Sequence, residues 1–468
     1  MSTWTLRILI VTLGVTAACL QAPAQKSPEY STATQDVGPK TEVGEVSPSR
    51  VEGKDWPRFL GPNQDGTSDE TGIRKDWSKG LPILWQLEVG EGYSAPTVGG
   101  RLFLFDRLEA SVRLRSLNRE TGELLWQTTY STAYEDMYGY SGGPRTSPVI
   151  DGDRVYTFGP EGRLRSQSVL DGELHWDLDT QALYGVKQNF FGVGSTPAIY
   201  GDLLIAQIGG SPADSPGIQT GNAKANGSGI VAFDKQSGKE VYRLADELAG
   251  YASIRLATID QRDWALAFTR GGLVGFEPGT GKQDFFFPWR AKKLESVNAA
   301  TPVVIGDRVF ITESYSPGGA LLQVSDGKVD VLWQDQRRRH SLASHWATPI
   351  HVDGTLYGCS GESTGNAELR AVRLDTGEVL WKKSGLGRTS LLQVDGHFVV
   401  LGEYGELHLV EIDPKAYKSV SQWTPSDAEG EALLVYPAWN GPVLSHGILY
   451  VRGKDRLLAV ELIPSTAP

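Results

Sequence analysis

The hydrophobic positions of this chain recur in short alternating runs, separated by turns that contain Gly and Asp, from about residue 95 to the C-terminus. One recurring phrase is a small residue and Pro, an apolar pair, a Gly/Asp turn and a second apolar run. It occurs at residues 95–98 (APTV), 147–150 (SPVI) and 301–304 (TPVV). Alternation predicts half-buried strands, and a Gly/Asp turn between two β-rich runs predicts a hairpin.

A second phrase alternates with the first and consists of an apolar pair, then Thr-Gly-Glu, then an aromatic residue that is usually Trp. The glycine supplies the positive φ of a tight turn, and the aromatic residue returns on the following strand to pack between neighbouring units. The residues assigned to this phrase are Thr121, Gly122, Trp126, Trp176, Gly281, Trp333, Gly377 and Trp381.

Together the two phrases give a four-stranded unit with the period of roughly 40 to 50 residues that is typical of propeller blades. Seven units are complete, and an eighth, from Gly441 to Leu462, has three strands. We expect residues 83–87 to supply its outer strand, because Trp85 falls where each blade has its outer aromatic residue. The predicted fold is an all-β, eight-bladed β-propeller of four-stranded antiparallel blades, closed by an N-terminal strand that joins the last blade. The sustained period disfavours the alternatives, an open sandwich or two separate β domains.

The first 81 residues lie outside this period and divide into three segments. Residues 1–24 are predicted to be a signal peptide, with Arg7 before an apolar stretch and a small-residue cleavage site before Gln25. Cys19 offers an alternative, since residues 16–19 (TAAC) resemble a bacterial lipoprotein processing site. Residues 25–54 are predicted to be a flexible linker and residues 55–81 a leader segment, before the propeller at 82–468. We therefore expect an exported, periplasmic protein, soluble or lipid-anchored, with no transmembrane span in the mature chain.

The composition argues against a nucleic-acid partner and against a framework of disulfide bonds. The formal net charge is −11, and the one basic run is 337–339 (RRR), so a nucleic-acid partner is not expected. After plain cleavage Cys359 would be the one cysteine left, which leaves no intrachain disulfide framework.

The Thr-Gly-x-x-x-Trp phrase, at Thr121 to Trp126 and Thr376 to Trp381, resembles the tryptophan docking motif of the PQQ-like repeat (quinoprotein-type) β-propeller family. Residues 56–66 (WPRFLGPNQDG) are similar to the leader of many bacterial members. The resemblance implies the fold more than the function, because the family contains both quinoprotein dehydrogenases and non-catalytic propellers such as BamB. We place the chain in the BamB-like, non-enzymatic branch.

The resemblance also sets what a quinoprotein site would require. Quinoprotein alcohol dehydrogenases hold PQQ between a Trp and a disulfide of adjacent cysteines, with Glu and Asn as ligands of Ca²⁺. This sequence has no adjacent cysteines, and Glu295 with Asn298 is the nearest calcium pair. We expect no cofactor, with PQQ and Ca²⁺ as the alternative. His340 and His345 lack a third ligand, so no metal site is predicted.

In a propeller the residues just before each inner strand line one mouth of the central channel, where a small ligand would sit. Arginine and aromatic side chains there can bind an anionic or sugar-like ligand. Alternatively, the same side chains plug the channel and satisfy one another. The predicted ligand-binding residues are Tyr93, Arg145, Phe190, Tyr251, Asn298, His345, Trp346, Arg388, Tyr436 and Trp439.

We predict a monomeric cell-envelope scaffold that binds an envelope protein partner, as the resemblance to BamB implies for outer-membrane assembly. The alternative is a small-molecule or saccharide binding protein, or a PQQ-dependent dehydrogenase-like enzyme that uses the central channel. The Gly- and Ser-rich insertion at 211–229 predicts a long loop, which is either a simple excursion or a partner-binding arm.

Overall fold

The computed structural model describes residues 36–37, 49–50, 52–296, 298–325, 327–336 and 340–465. The predicted signal peptide with Cys19, most of the predicted linker and the basic run 337–339 lie outside the described residues. Within the described part, eight antiparallel sheets follow one another along the chain, seven with four strands and one with five. The predicted all-β, eight-bladed propeller is confirmed.

Two strands precede the first blade, β1 (Asp36–Val37) and β2 (Ile83–Glu88). Blades 1 to 4 are then built from consecutive strands, each given from the channel outwards. Blade 1 comprises β3 (Thr97–Gly99), β4 (Arg101–Leu108), β5 (Ser111–Leu117) and β6 (Leu124–Ser131). Blade 2 comprises β7 (Val149–Asp151), β8 (Arg154–Phe158), β9 (Arg163–Ser168) and β10 (Leu174–Asp179). Blade 3 comprises β11 (Ala198–Tyr200), β12 (Leu203–Gln207), β13 (Ile230–Asp234) and β14 (Glu240–Leu244). Blade 4 comprises β15 (Arg255–Ile259), β16 (Arg262–Phe268), β17 (Gly272–Phe276) and β18 (Gln283–Pro288).

Blades 5 to 8 continue the pattern to the C-terminus. Blade 5 comprises β19 (Val303–Ile305), β20 (Arg308–Glu313), β21 (Gly318–Ser325) and β22 (Lys328–Gln334). Blade 6 comprises β23 (Ile350–Val352), β24 (Thr355–Ser360), β25 (Glu368–Arg373) and β26 (Val379–Ser384). Blade 7 comprises β27 (Ser390–Val394), β28 (His397–Leu401), β29 (Leu407–Glu411) and β30 (Lys418–Trp423). Blade 8 comprises β31 (Val443–Ser445), β32 (Ile448–Arg452) and β33 (Arg456–Glu461). A short helix, α1 (Thr180–Tyr184), follows blade 2, and a 3₁₀ turn (Ile218–Thr220) lies in blade 3.

The missing outer strand of blade 8 is β2, as predicted. Trp85 lies opposite Ala459 and Leu87 opposite Leu457 in the antiparallel pair of β2 with β33. This pairing joins the two ends of the propeller and removes the open edges that a final three-stranded blade would leave. Strand β1 adds a fifth strand to blade 1, with Asp36 opposite Thr129. The repeat pattern did not predict that addition.

The docking phrase acts between blades, not within one. Trp126 of blade 1 donates its indole N–H to the carbonyl of Val169 in blade 2 at 3.0 Å. Its ring lies so close to Gly172 of blade 2 that a Cβ there would approach it to 2.8 Å. Each glycine of the phrase therefore receives the aromatic ring of the preceding blade. The same N–H to carbonyl contact joins Trp176 to Lys235, Trp333 to Leu374 and Trp381 to Asp413.

Antiparallel strands place alternate connections on opposite faces of the ring. We call the face that carries the loops into each inner strand, and the turns between second and third strands, the mouth face. The leader lies against the inner strands from the opposite side. Trp56 exchanges backbone hydrogen bonds with Val98 of blade 1 at 2.8 and 2.9 Å, and the amide of Ser68 donates to the Gln393 carbonyl of blade 7 at 2.8 Å. The leader therefore spans the ring.

Contacts on intervening blades trace the path of the leader across the axis. The carbonyl of Pro57 accepts from the Ile150 amide of blade 2 at 2.9 Å. The side-chain oxygen of Gln64 accepts from the Leu256 amide of blade 4 at 3.3 Å. Because blades 1, 2, 4 and 7 are distributed around the ring, a segment that contacts all of them passes over the end of the channel.

Contacts also begin before the leader. Arg50 lies within the predicted linker, and its Nη2 pairs with Glu461 Oε1 of blade 8 at 2.5 Å. Its carbonyl accepts from Arg119 Nη2 of blade 1 at 2.6 Å. The packed part of the chain therefore includes Arg50. No helix in the described part of the chain has the length and hydropathy that a membrane crossing requires.

Candidate functional site

A cavity of about 220 Å³ lies on the channel axis at the mouth face. Its walls come from the loops that enter the inner strands of the blades. Its base is formed by Phe59 and Leu60 of the leader, which crosses the far end of the channel. The cavity is therefore a dead end that opens towards the mouth face.

Seven of the ten residues predicted to bind a ligand line this cavity. They share a position immediately before an inner strand, so the propeller geometry brings them to one axis although they are far apart in sequence. They are Tyr93, Arg145, Tyr251, His345, Trp346, Arg388 and Trp439.

The other three predicted residues do not line the cavity. Asn298 is 1% exposed and its amide nitrogen donates to the carbonyls of Thr269 at 2.9 Å and Trp289 at 2.8 Å, so it holds a loop of blade 4. Phe190 is buried beneath the guanidinium of Arg270. Tyr436 is exposed to solvent outside the cavity. A position in a loop before a strand does not fix side-chain direction, which is why sequence misplaced these residues.

Other lining residues fell outside the predicted set, among them two from the leader and two tyrosines. Phe59 and Leu60 were assigned only to a leader, because backbone hydrogen bonds, which carry no sequence signature, place them at the channel. Tyr140 comes from the middle of the loop between β6 and β7, and Tyr315 comes from the turn between β20 and β21. Neither tyrosine lies immediately before an inner strand, so the rule used to predict the cavity residues could not identify them.

Both arginines of the cavity are paired with carboxylates. Arg388 Nε donates to Glu403 Oε1 at 2.7 Å, and Trp439 Nε1 donates to the same oxygen at 2.7 Å. Glu403 is fully buried; burial opposes its ionisation, yet hydrogen bonds from Arg388 and Trp439 hold its pKa below the ordinary value. Arg145 Nη2 lies 2.5 Å from Asp136 Oδ2. The two positive charges are therefore already balanced by protein.

Aromatic rings surround the Arg388 side chain. The guanidinium lies 4.7 Å from the ring centres of both Trp346 and Trp439, a cation–π arrangement. The two indoles are 4.9 Å apart, and Tyr93 lies 5.0 Å from Trp439. These contacts fix the ring orientations, so one side of the cavity is a pre-organised aromatic surface.

Two polar atoms of the lining are buried without a protein partner. His345 Nε2 lies 2.8 Å from the Tyr315 hydroxyl, while its Nδ1 has no hydrogen-bond partner among the described residues. Burial, followed by the positive charges of Arg388 and Lys293, lowers the pKa of His345 to about 3, so its ring is neutral at physiological pH. The Asn440 side-chain oxygen is also buried and unpartnered in the described chain. A buried polar atom without a hydrogen-bond partner is uncommon in folded proteins and requires an explanation.

Hydroxyl groups join neighbouring inner strands at the level of the cavity. Thr196 Oγ1 of blade 3 accepts from the Ser147 amide of blade 2 at 3.1 Å, and Ser253 Oγ of blade 4 accepts from the Thr196 amide at 3.1 Å. Thr348 Oγ1 of blade 6 accepts from the Thr301 amide of blade 5 at 3.0 Å. These bonds explain why small hydroxyl residues recur at blade starts.

The calcium pair that the sequence offered, Glu295 and Asn298, does not converge on one site. Glu295 Oε1 accepts a hydrogen bond from the Tyr138 hydroxyl at 3.2 Å. The Asn298 side-chain nitrogen instead donates to backbone carbonyls inside blade 4. Among the described residues, no group of three His, Cys, Asp or Glu side chains is placed to hold a metal ion. Cys359 is buried in β24. This pair therefore does not fit the Ca²⁺ role that the resemblance implied.

Eight blades built on a four-stranded unit and joined by inter-blade aromatic rings around an axial cavity define a β-propeller of the PQQ-repeat class. The family model of outer membrane protein assembly factor BamB matches residues 74–226 and 215–383, and the chain belongs to this family. The predicted resemblance is thereby confirmed.

Individual relatives are distant. The chain is 22% identical to outer membrane protein assembly factor BamB of Yersinia pestis over 347 residues, which cover 70% of this chain and 75% of that protein. The structure of BamB from Moraxella catarrhalis has a TM-score of 0.53 at 15% identity, covering 81% of this chain and 97% of that one. Quinohemoprotein alcohol dehydrogenase from Comamonas testosteroni has a TM-score of 0.61 at 11% identity, covering 88% and 81%. At such identities the two structures show the fold alone.

Proposed function

We propose that this protein is an exported cell-envelope propeller that acts, as a monomer, as a protein-interaction scaffold of the BamB type. Membership of the BamB family supports this function. The observation that carries it is a rim of exposed, mostly aromatic side chains around the channel opening on the mouth face. The rim consists of Met137, Tyr138, Tyr140, Tyr404, Val435 and Tyr436.

The rim has the chemistry of a protein-binding surface. Tyr140 is 59% exposed and Tyr404 is 57% exposed, and Tyr404 lies 5.3 Å from Tyr436 across two loops of neighbouring blades. Contiguous exposed aromatic side chains mark interaction sites, because tyrosine supplies a large contact area at little conformational cost. An envelope protein with a complementary apolar surface is the proposed partner.

The long loop of blade 3 extends the same face. It connects β12 to β13, which places it among the turns of the mouth face. Ile218 is 3% exposed, and the Asn226 side-chain nitrogen donates to the Tyr184 carbonyl at 3.0 Å. These contacts anchor the loop at two points, which supports a role as a preformed partner-binding arm.

Photo-crosslinking in cells tests the scaffold function. A photoreactive amino acid replaces Tyr140 or Tyr404 on the rim, and the matched control replaces Val331, which is 44% exposed on the outer strand β22. We expect the same envelope protein in the adducts of both rim positions and not at Val331. No adduct at either rim position, or equal adducts at all three, would refute the proposed surface.

Export is tested separately by mass spectrometry of the mature N-terminus. We expect the mature chain to begin at Gln25, or at a lipid-modified Cys19 if the lipoprotein site is used. A protein that retains residues 1–18 would contradict export by this signal.

A further inference from the structure

We infer that the axial cavity is a binding site for a single neutral saccharide ring. This activity is distinct from the proposed scaffold role, which uses the rim; Tyr140 is the rim residue that also lines the cavity. The inference rests on the charge balance of the cavity, its aromatic wall and its unpartnered polar atoms.

The charge balance disfavours an anionic ligand. Arg388 and Arg145 already have carboxylate partners, Glu403 and Asp136, so the cavity offers an anionic ligand no unbalanced positive charge. The fully buried Glu403 carboxylate would also repel an anion placed beside Arg388. The sequence suggested an anionic or a sugar-like ligand, and these ion pairs favour the uncharged one.

The aromatic wall supplies a stacking surface. Trp346 and Trp439 line the cavity side by side, and their orientation is fixed by the Arg388 guanidinium between them. The apolar C–H face of a sugar ring packs on such a surface without the loss of a charged or polar contact. Stacking therefore fixes the plane of the ring.

The unpartnered atoms match hydroxyl groups. The Asn440 side-chain oxygen requires a donor, while the free Nδ1 of neutral His345 requires an acceptor or a donor according to its tautomer. A hydroxyl both donates and accepts, so it matches the hydrogen-bonding character of both atoms. A phenylalanine side chain from a protein partner would stack equally well but would leave both atoms unsatisfied.

The size and closure of the cavity limit the ligand. A volume of about 220 Å³ is below the roughly 300 to 1,000 Å³ of sites for drug-sized molecules. Phe59 and Leu60 close the base, so a ligand enters from the mouth face and cannot pass through. The site therefore fits one ring, either free or at the end of a glycan chain.

Titration of the purified mature protein with four probes tests this inference. Two probes are neutral sugars, methyl glucoside and methyl N-acetylglucosaminide. Glucuronate is a sugar of similar size that carries a negative charge, and N-acetyltryptophanamide represents an aromatic side chain of a protein partner. Binding is measured by calorimetry and by protection of tryptophan fluorescence from quenching. We expect at least one neutral glycoside to bind, and more tightly than glucuronate.

Variants connect binding to the cavity. Trp346→Leu is expected to weaken glycoside binding by about tenfold, the effect of one lost stacking contact. Tyr404→Ala, on the rim, is the control and is expected to leave binding within about twofold. Asn440→Ala, with thermal unfolding as a check of folding, provides a second cavity variant should Trp346→Leu fail to fold.

Three results would overturn the inference. They are no binding of either glycoside, tighter binding of glucuronate than of the glycosides, and binding of N-acetyltryptophanamide alone, which would assign the cavity to a partner side chain. Rim crosslinking can succeed or fail independently of all three, so failure of this inference and failure of the scaffold function are distinguishable.

Discussion

The indole of Trp85 packs on Gly122, and its Nε1 donates to the neighbouring Arg119 carbonyl at 3.1 Å. Trp85 belongs to a strand that precedes blade 1 in sequence but forms the outer edge of blade 8, so this contact joins the last blade to the first. Gly122 has a φ of 75°, and a Cβ at this position would lie 2.7 Å from the indole ring. The packing of the Trp85 ring on Gly122 therefore contributes to the closure of the propeller between blade 8 and blade 1.

Loss of either partner is expected to destabilise the whole propeller. Trp85→Ala should lower the free energy of unfolding by about 3 to 5 kcal/mol, because it removes a buried indole and its hydrogen bond. Gly122→Ala should cost about 2 kcal/mol from the left-handed backbone, plus the clash with the ring. The control is Gly152→Ala, where φ is 59° but no atom lies within 4 Å. Equal denaturant midpoints for the two glycine variants would contradict the role of the ring.

The buried pair of Arg388 and Glu403 predicts a non-additive pair of substitutions. Arg388→Ala should lower stability by about 3 to 5 kcal/mol, since it leaves the fully buried Glu403 carboxylate without its partner. Adding Glu403→Gln should recover a large part of that loss, because the amide carries no charge. Chemical unfolding of the two single variants and the double variant measures the coupling, and additive losses would mean that the two groups do not interact.

Glu313 predicts a pH dependence of stability. It is 3% exposed and accepts from two neutral donors, the Tyr315 amide at 2.9 Å and the Ser296 hydroxyl at 3.2 Å. Burial raises its pKa to about 7. Because the folded pKa exceeds the unfolded value, the contribution of Glu313 is fully present below the unfolded pKa of about 4.3 and is lost as pH rises to about 7.

Glu313→Gln removes this ionisation, so the stability of the variant relative to wild type should increase between pH 5 and pH 8, by on the order of 3 kcal/mol. The comparison between variants is necessary because His345 acts in the opposite direction. Its pKa of about 3 makes its contribution fall as pH decreases below its unfolded value. A pH-independent difference between Glu313→Gln and wild type would show that the carboxyl is not buried in this way.

The leader is expected to be part of the folding unit. Trp77 is 1% exposed, its Nε1 donates to the Arg74 carbonyl at 2.7 Å, and its amide donates to Ser421 Oγ of blade 7 at 3.2 Å. Trp77→Ala should therefore cost about 3 to 5 kcal/mol in one cooperative unfolding transition. Leu170→Ala, at a site that is 64% exposed, is the matched control and should change stability by less than about 0.5 kcal/mol. A separate early transition in the Trp77 variant would indicate that the leader folds independently.

The number of blades, their strands and the closing strand could be predicted from the amino-acid sequence, because each of these leaves a local and repeated pattern of alternation, turn glycine and outer aromatic residue. The sequence also placed seven cavity residues, such as Arg388 and Trp439, since the position before an inner strand is fixed by the repeat.

The pairing of these residues and the closure of the channel became visible in the three-dimensional structure. Glu403 is fifteen residues from Arg388 in sequence, and no repeat position marks it as the carboxylate that balances the cavity. Phe59 reaches the axis because the leader bonds through its backbone to several blades, and backbone hydrogen bonds are the same for every residue type. The Asn298 side chain does not line the cavity because its amide nitrogen donates to the backbone carbonyls of Thr269 and Trp289. Side-chain direction and long-range pairing arise from packing in three dimensions, which a one-dimensional period does not encode.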